Sequence, residues 1–275
     1  MSRATSFFYS FLVLPPVKRQ AIVAVWDFCR AVDDAVDEGG DAVAELATWR
    51  RELAAVYEPD KVPTTSQGRA LRPFVQAFGL PREEFESLID GVAMDIEYVR
   101  YPTFDALQGY CRRVAGTVGL ICLEIFGHKD RASREYALHL ATALQLTNII
   151  RDIAADLQQG RVYLPTEDLE LFCVTEDDLR QGQVNLRVRS LLEFECGRAR
   201  EYFRRASATL PAVDRRRLVA AEIMGGIYFG ILNRIEDAGY DVFSSRIRVP
   251  RPERLFIALR IWARSSIGLS TPLGG

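Results

Sequence analysis

A chain of 275 residues, 48% apolar and 26% charged, is long enough to bury a full core and has an ordinary globular composition. Its 35 basic and 37 acidic side chains nearly cancel, so no global positive field points to a nucleic-acid partner. Five scattered cysteines with no CxxC pair fit reduced thiols rather than a disulfide framework, and their spacing from the two histidines offers no zinc site.

The opening MSRATSFFYSFLVLPP carries one early Arg, and Pro15-Pro16 interrupts it where an export signal needs small residues, so a cytoplasmic location is expected. Leu46, Trp49, Leu53 and Val56 then recur at helical spacing. Residues 114–127 form an apolar run too short to span a bilayer and broken by Glu124. Within it, Gly116 and Gly119 cost about 1 kcal/mol each against alanine, which predicts a close approach by a helix or a ligand tail. Ala206, Leu210, Leu218, Ile223, Ile227, Ile231 and Ile235 extend the helical pattern around Pro211, and strand-like alternation is almost absent. Breakers such as Gly39-Gly40, Pro81, Pro102, Gly127 and Pro211 divide the chain into about eight helices, predicting one all-α bundle over residues 1–275 with frayed ends at 1–5 and 266–275. Residues 246–264 are rich in Arg with only Glu253 opposing them, a pattern read first as a solvated face and second as a weak contact with an anionic membrane surface.

Two aspartate pairs carry the chemistry. In VWDFCRAVDDAVDEGG, Asp33 and Asp37 lie four apart near a predicted helix C-terminus and share a face. In QLTNIIRDIAADLQQGR, Gln145, Asn148, Asp152 and Asp156 form one polar stripe between apolar neighbours. One such pair alone is more often a solvated face with Arg30, Arg151 or Arg161 as ion-pair partners. Two pairs with apolar surroundings are harder to dismiss, because like charges about 4 Å apart repel by roughly 4 kcal/mol near a protein surface. Mg²⁺ suits such a place: it takes carboxylate and phosphate oxygens and is commonly held by one or two carboxylates plus substrate phosphates. The guanidiniums of Arg30, Arg151 and Arg161 can share phosphate oxygens. No GxxxxGK[ST] loop is present, so a nucleotide cradle is unsupported.

Taken in order, FLVLPP, FCRAVDDAVDE, YCRRVAGTVG and LQLTNIIRDIAADLQQGRVYLP resemble the squalene and phytoene synthase family, over residues 6–264. SFFYSFLVLPP, LPAVDRRR and IMGGIY are most similar to its bacterial presqualene diphosphate synthases, whereas GYDVFSSRIRVP is also similar to phytoene synthases. The resemblance implies an isoprenoid-synthase-type bundle around a central apolar cavity, and head-to-head condensation of two farnesyl diphosphates to presqualene diphosphate. The alternatives are phytoene formation from two geranylgeranyl diphosphates and a squalene synthase that completes the NADPH-dependent reduction. It further implies Mg²⁺, with Mn²⁺ as the alternative ion and no NADPH requirement, held by Asp33, Asp37, Asn148, Asp152 and Asp156. The same four aspartates with Tyr110 and Arg151 are the implied catalytic set. Ser6, Phe7, Trp26, Arg30, Gln145, Asn148, Arg161, Tyr163 and Tyr228 are the implied substrate-binding set, with Trp26 standing where relatives often carry Tyr. Phe7, Trp26 and Tyr228 also fit plain core packing, and Tyr110, Tyr163, Gln145 and Asn148 also fit structural hydrogen bonding. A class I terpene cyclase is disfavoured because RDIAAD does not resemble the second metal motif of cyclases; a non-catalytic prenyl-binding relative is the remaining rival.

Overall fold

The computed structural model describes residues 8–37, 41–96 and 100–266, without the side chains of Phe8, Tyr9 and Asp37. Among them lie thirteen α-helices and one π-helical segment, not about eight helices. They run α1 (Phe8–Phe11), α2 (Pro16–Asp37), α3 (Ala42–Tyr57), α4 (Ser66–Phe78), α5 (Arg82–Ala93), α6 (Phe104–Cys111), the π-segment Arg112–Gly116, α7 (Thr117–Phe126), α8 (Ala132–Gln158), α9 (Thr166–Leu171), α10 (Glu176–Arg180), α11 (Leu186–Thr209), α12 (Val219–Asp237) and α13 (Arg251–Ser266). Part of the surplus comes from boundaries without proline: Thr175 forms a capping box with Asp178 at the start of α10, and the Asn185 side chain caps α11. The two chain ends expected to fray fall almost wholly outside the described residues.

α2 begins with Pro16, whose missing N–H costs nothing in a first turn. α8 is the longest helix, and its buried face (Leu140, Ala143, Leu146, Ile150 and others) packs on α11, α7, the π-segment and α12. The two glycines behave as expected. A Cβ on Gly119 would come within 3.2 Å of the Ala137 carbonyl oxygen and 3.4 Å of the Ala141 Cβ, so α7 and α8 are in close backbone contact there. A Cβ on Gly116 would meet Arg112 Cδ at 3.0 Å and Leu138 Cδ2 at 3.2 Å.

The described residues contain one isolated β-bridge, Arg100 to Val162, and no helix long and apolar enough to cross a membrane. All five cysteines are free, and Cys29 and Cys111 are buried as packing residues. Away from the cavity, Arg198 bridges Asp168 at 2.7 Å and Glu195 at 2.8 Å while lying over the Phe104 and Phe194 rings at 4.1 and 4.7 Å. Burial, eased by Arg198 and reinforced by Asp168, pushes the Glu195 carboxyl well up.

α13 differs from the solvated face expected of it. Ile257, Ala258 and Ile261 are buried, but Leu255, Phe256, Leu259 and Trp262 on another face are between 45% and 63% exposed, beside the exposed Arg251, Arg260 and Arg264.

Candidate active site

The last turn of α2 holds Asp34 and Asp37 and that of α8 holds Asp156, with no basic residue in either turn, while Asp33 and Asp152 lie just before them on the same helices as Arg30 and Arg151. A helix C-terminus already carries partial negative charge from its free carbonyls, so placing carboxylates rather than Lys or Arg at two such ends opposes the usual preference and favours a bound cation. Both ends open onto one cavity of about 900 Å³. Arg30, Asp33, Asp34, Asp152, Asp156 and Arg246 line it together with apolar side chains such as Ile22, Val25, Leu88, Val118, Leu140 and Met224.

The structure brings most of the expected set to this cavity: Trp26, Arg30, Asp33, Tyr110, Gln145, Asn148, Arg151, Asp152, Asp156, Tyr163 and Tyr228 all line it. Arg161 lines an adjoining pocket of about 220 Å³ with Asp33, Gln145 and Tyr163. Ser6 and Phe7 lie outside the described residues, as does the side chain of Asp37. Arg30 pairs with Asp34 at 3.5 Å. Tyr228 is buried and interacts with Arg151, which places its hydroxyl among charged groups.

Asp152 and Asp156, one turn apart, have opposite electrostatic fates. Burial acts to raise the Asp152 carboxyl, but Arg151, with Nε at 2.9 Å, and Arg246, with two contacts at 3.0 Å, hold it below the ordinary range. Among the described residues Asp156 has no such clamp. Burial, with the Asp152 charge next, raises it to about 7, and Arg161 and Arg151 compensate only in part. The carboxylate of Asp156 is therefore short of positive charge.

A second deficit lies on the same stripe. Asn148 donates from Nδ2 to Gln145 Oε1 at 3.4 Å, and its Oδ1 is buried with no hydrogen-bond partner among the described residues. The orphaned Asn148 amide oxygen and, two turns along the same stripe, the under-compensated Asp156 carboxylate are hard-oxygen donors of the kind Mg²⁺ takes. Among the described residues no three His, Cys, Asp or Glu side chains form a ready metal cage, so a cation here would need oxygens from a ligand to complete its shell.

Sequence reasoning missed two participants. Arg246 lies 94 residues from Asp152 in the chain, inside the Arg-rich stretch expected to be solvated, yet it clamps the Asp152 carboxylate. Asp95, in a segment without any motif, accepts hydrogen bonds from Tyr110 at 2.9 Å and Tyr163 at 2.8 Å.

The sequence profile of squalene/phytoene synthases matches residues 2–253. The chain belongs to the squalene/phytoene synthase family. It is 38% identical to the 15-cis-phytoene synthase of Synechocystis, over 96% of this chain and 82% of that one. It is 35% identical to the presqualene diphosphate synthase of Rhodopseudomonas palustris, over 93% and 92% of the two chains. Among solved structures, a dehydrosqualene synthase bound to a ligand superimposes with a TM-score of 0.85 at 28% identity, covering 96% of this chain and 93% of that one. This squalene/phytoene synthase family member is thus a prenyl-transferring enzyme of the isoprenoid-synthase fold, and a terpene cyclase no longer competes as a reading.

Proposed function

We propose that the enzyme joins two farnesyl diphosphates head to head, releasing one diphosphate and forming presqualene diphosphate without NADPH. The observation that carries this reading is the pair of aspartate-bearing helix ends facing one apolar cavity, with Arg30, Arg151, Arg161 and Arg246 at its polar end. Asp33, Asp37, Asn148, Asp152 and Asp156 would hold Mg²⁺, which supplies positive charge as a diphosphate leaves. The arginines share that charge through guanidinium hydrogen bonds. Loss of diphosphate from the first molecule leaves an allylic cation, which the double bond nearest the second molecule's diphosphate attacks. Proton loss then closes the cyclopropane ring. The apolar wall excludes water from the cation, and the Trp26 and Tyr228 rings offer it aromatic faces.

The test incubates purified protein with farnesyl or geranylgeranyl diphosphate and Mg²⁺, with and without NADPH, and identifies the lipid product. Presqualene diphosphate irrespective of NADPH is the expected result, and squalene formed only with NADPH would add the reductive half-reaction. A second reading, phytoene from geranylgeranyl diphosphate, is favoured by the 38% identity to a cyanobacterial phytoene synthase. Product from only the longer substrate would replace the first reading with it. Absence of Mg²⁺-dependent diphosphate release from any prenyl substrate would leave a non-catalytic prenyl-binding relative. Asp33→Asn should lower turnover about 100-fold or more with helicity intact; near-normal rates would remove Asp33 from the metal set.

The apolar face of α13 supports weak attachment to an anionic membrane as part of the same reading, because the substrates and product are lipids and arginines flank the exposed Leu255, Phe256, Leu259 and Trp262. A Phe256→Glu, Trp262→Glu double variant should lose at least about fivefold in co-sedimentation with vesicles containing anionic lipid at low salt. Equal sedimentation of the variant and the parent would remove the attachment from the reading.

A further inference from the structure

Asp95 lies in the turn that ends α5, where its N–H bonds to the Val92 carbonyl at 3.0 Å. Each of its carboxylate oxygens accepts a phenolic proton, Oδ2 from Tyr110 at 2.9 Å and Oδ1 from Tyr163 at 2.8 Å. The two hydroxyls are 3.5 Å apart, and their rings stack at 5.2 Å with an interplanar angle of 24°. Tyr101 backs both rings, at 5.5 Å from Tyr110 and 6.2 Å from Tyr163. Tyr110 and Tyr163 line the main cavity and also the adjoining pocket that Asp95 shares with Asp33, Gln145 and Arg161. The carboxylate thus fixes two phenols at the boundary between the apolar chamber and the charged mouth.

This arrangement decides what Tyr110 can offer to a reacting carbon. A phenol has one proton. Once that proton is given to Asp95, the oxygen presents only lone pairs to its other neighbours. A phenol cannot by itself carry away a proton at neutral pH, since taking one would make it an oxonium ion and losing its own requires a pKa near 10 to be overcome. Burial, with the Asp95 charge next, pushes both phenols further up, so a standing tyrosinate is disfavoured. Passing the first proton on while accepting a second avoids both charged forms.

We propose that Tyr110 and Asp95 form a proton relay for ring closure, with Asp95 as the final acceptor and Tyr163 as a positioning residue that holds the carboxylate. The proposal rests on the condensation described above and names the group that completes it. In the step, a C–H bond breaks on the first molecule's former cationic carbon, which lies two bonds from the new tertiary cation, and its electron pair forms the closing C–C bond to that cationic carbon. That proton binds Tyr110 Oη while the Tyr110 proton moves to Asp95 Oδ2. Charge is conserved: the cation and the carboxylate are both neutralised, and Asp95 releases its proton to solvent or to the departing diphosphate.

The test separates ionisation from ring closure by measuring, in the full chain with Mg²⁺ and farnesyl and geranylgeranyl diphosphate in separate runs, both diphosphate release and condensed product. In Asp95→Asn, diphosphate release should persist within about threefold while condensed product falls about 100-fold, the cation being captured by water as prenyl alcohol. Asp95→Glu should restore part of the product, and Tyr163→Phe, which removes one clamp but leaves the relay, should lose less than Asp95→Asn. An unchanged ratio of product to released diphosphate in Asp95→Asn overturns the relay, whether the rates stay high or fall together. So does a defect that extra Mg²⁺ repairs, which would make Asp95 a metal ligand. If Asp95→Asn does not fold, Tyr110→Phe takes its place: a fall in the same ratio supports the relay and an unchanged ratio overturns it. A parent enzyme that releases no diphosphate from either substrate overturns the underlying condensation instead, and the relay with it.

Discussion

Replacing Asp156 with Asn should raise the melting temperature of the metal-free protein and abolish its turnover. Burial and the neighbouring Asp152 charge lift the Asp156 carboxyl to about 7 from the ordinary value of 3.8. A carboxyl raised on folding contributes stability only at low pH, and that contribution is lost as pH rises from about 4 towards 7. Above 7 the ionised group subtracts up to about 4 kcal/mol, taking roughly 1.4 kcal/mol per unit over about three units. Asn removes this penalty while keeping the shape, so at pH 8 the variant should melt on the order of 5 °C higher than the parent, and the gap should close near pH 4. Mg²⁺ with inorganic diphosphate should stabilise the parent much more than the variant, because the ion draws its advantage from the charge the variant lacks. Condensation should fall at least about 100-fold. Thermal unfolding across pH, with and without Mg²⁺ and diphosphate, is the measurement; a lower melting temperature for the metal-free variant at pH 8 would show that Asp156 is compensated after all.

Arg198→Ala should cost about 3–5 kcal/mol of stability, the usual penalty for leaving buried carboxylates without their cation. Asp168 and Glu195 are 3% and 1% exposed, and both depend on this guanidinium. The alanine also vacates the space between the Phe104 and Phe194 rings. Arg198 does not line the cavity, so the rate per folded molecule at low temperature should stay close to that of the parent. Urea unfolding reads the loss, and adding Asp168→Asn and Glu195→Gln should return part of it. A loss under about 1 kcal/mol would show that the two carboxyls do not depend on this guanidinium.

These effects differ in how far the sequence announced them. Asp33, Asp152 and Asp156 were legible because helical spacing places chelating groups on one face, and both helices end where the glycines and prolines indicate. Gly116 and Gly119 were legible because glycine inside a helix implies close packing. Arg246 was not, since the charge that justifies its position lies across the bundle on α8. The apolar face of α13 was hidden for a related reason: counting charges along residues 246–264 does not reveal which apolar side chains find no cover. Asp95 had no motif, and its significance comes from two phenols 15 and 68 residues further along the chain.

The π-segment Arg112–Gly116 matters for phase. α6, this segment and α7 form one continuous rod from Phe104 to Phe126, with helical backbone angles at both junctions. A π-turn holds one residue more than the α-turn it replaces, so it rotates everything before it by about 100° relative to everything after it. Tyr110 on one side can therefore reach Asp95 while Gly119 on the other lies flush against α8. In an uninterrupted α-helix the two demands would fall out of register, and satisfying one would turn the other away. The surplus residue works as a gear tooth: one rigid rod serves a hydrogen-bonded aromatic cluster and a tight interhelical seam, two surfaces whose angular separation the regular helical repeat would not supply.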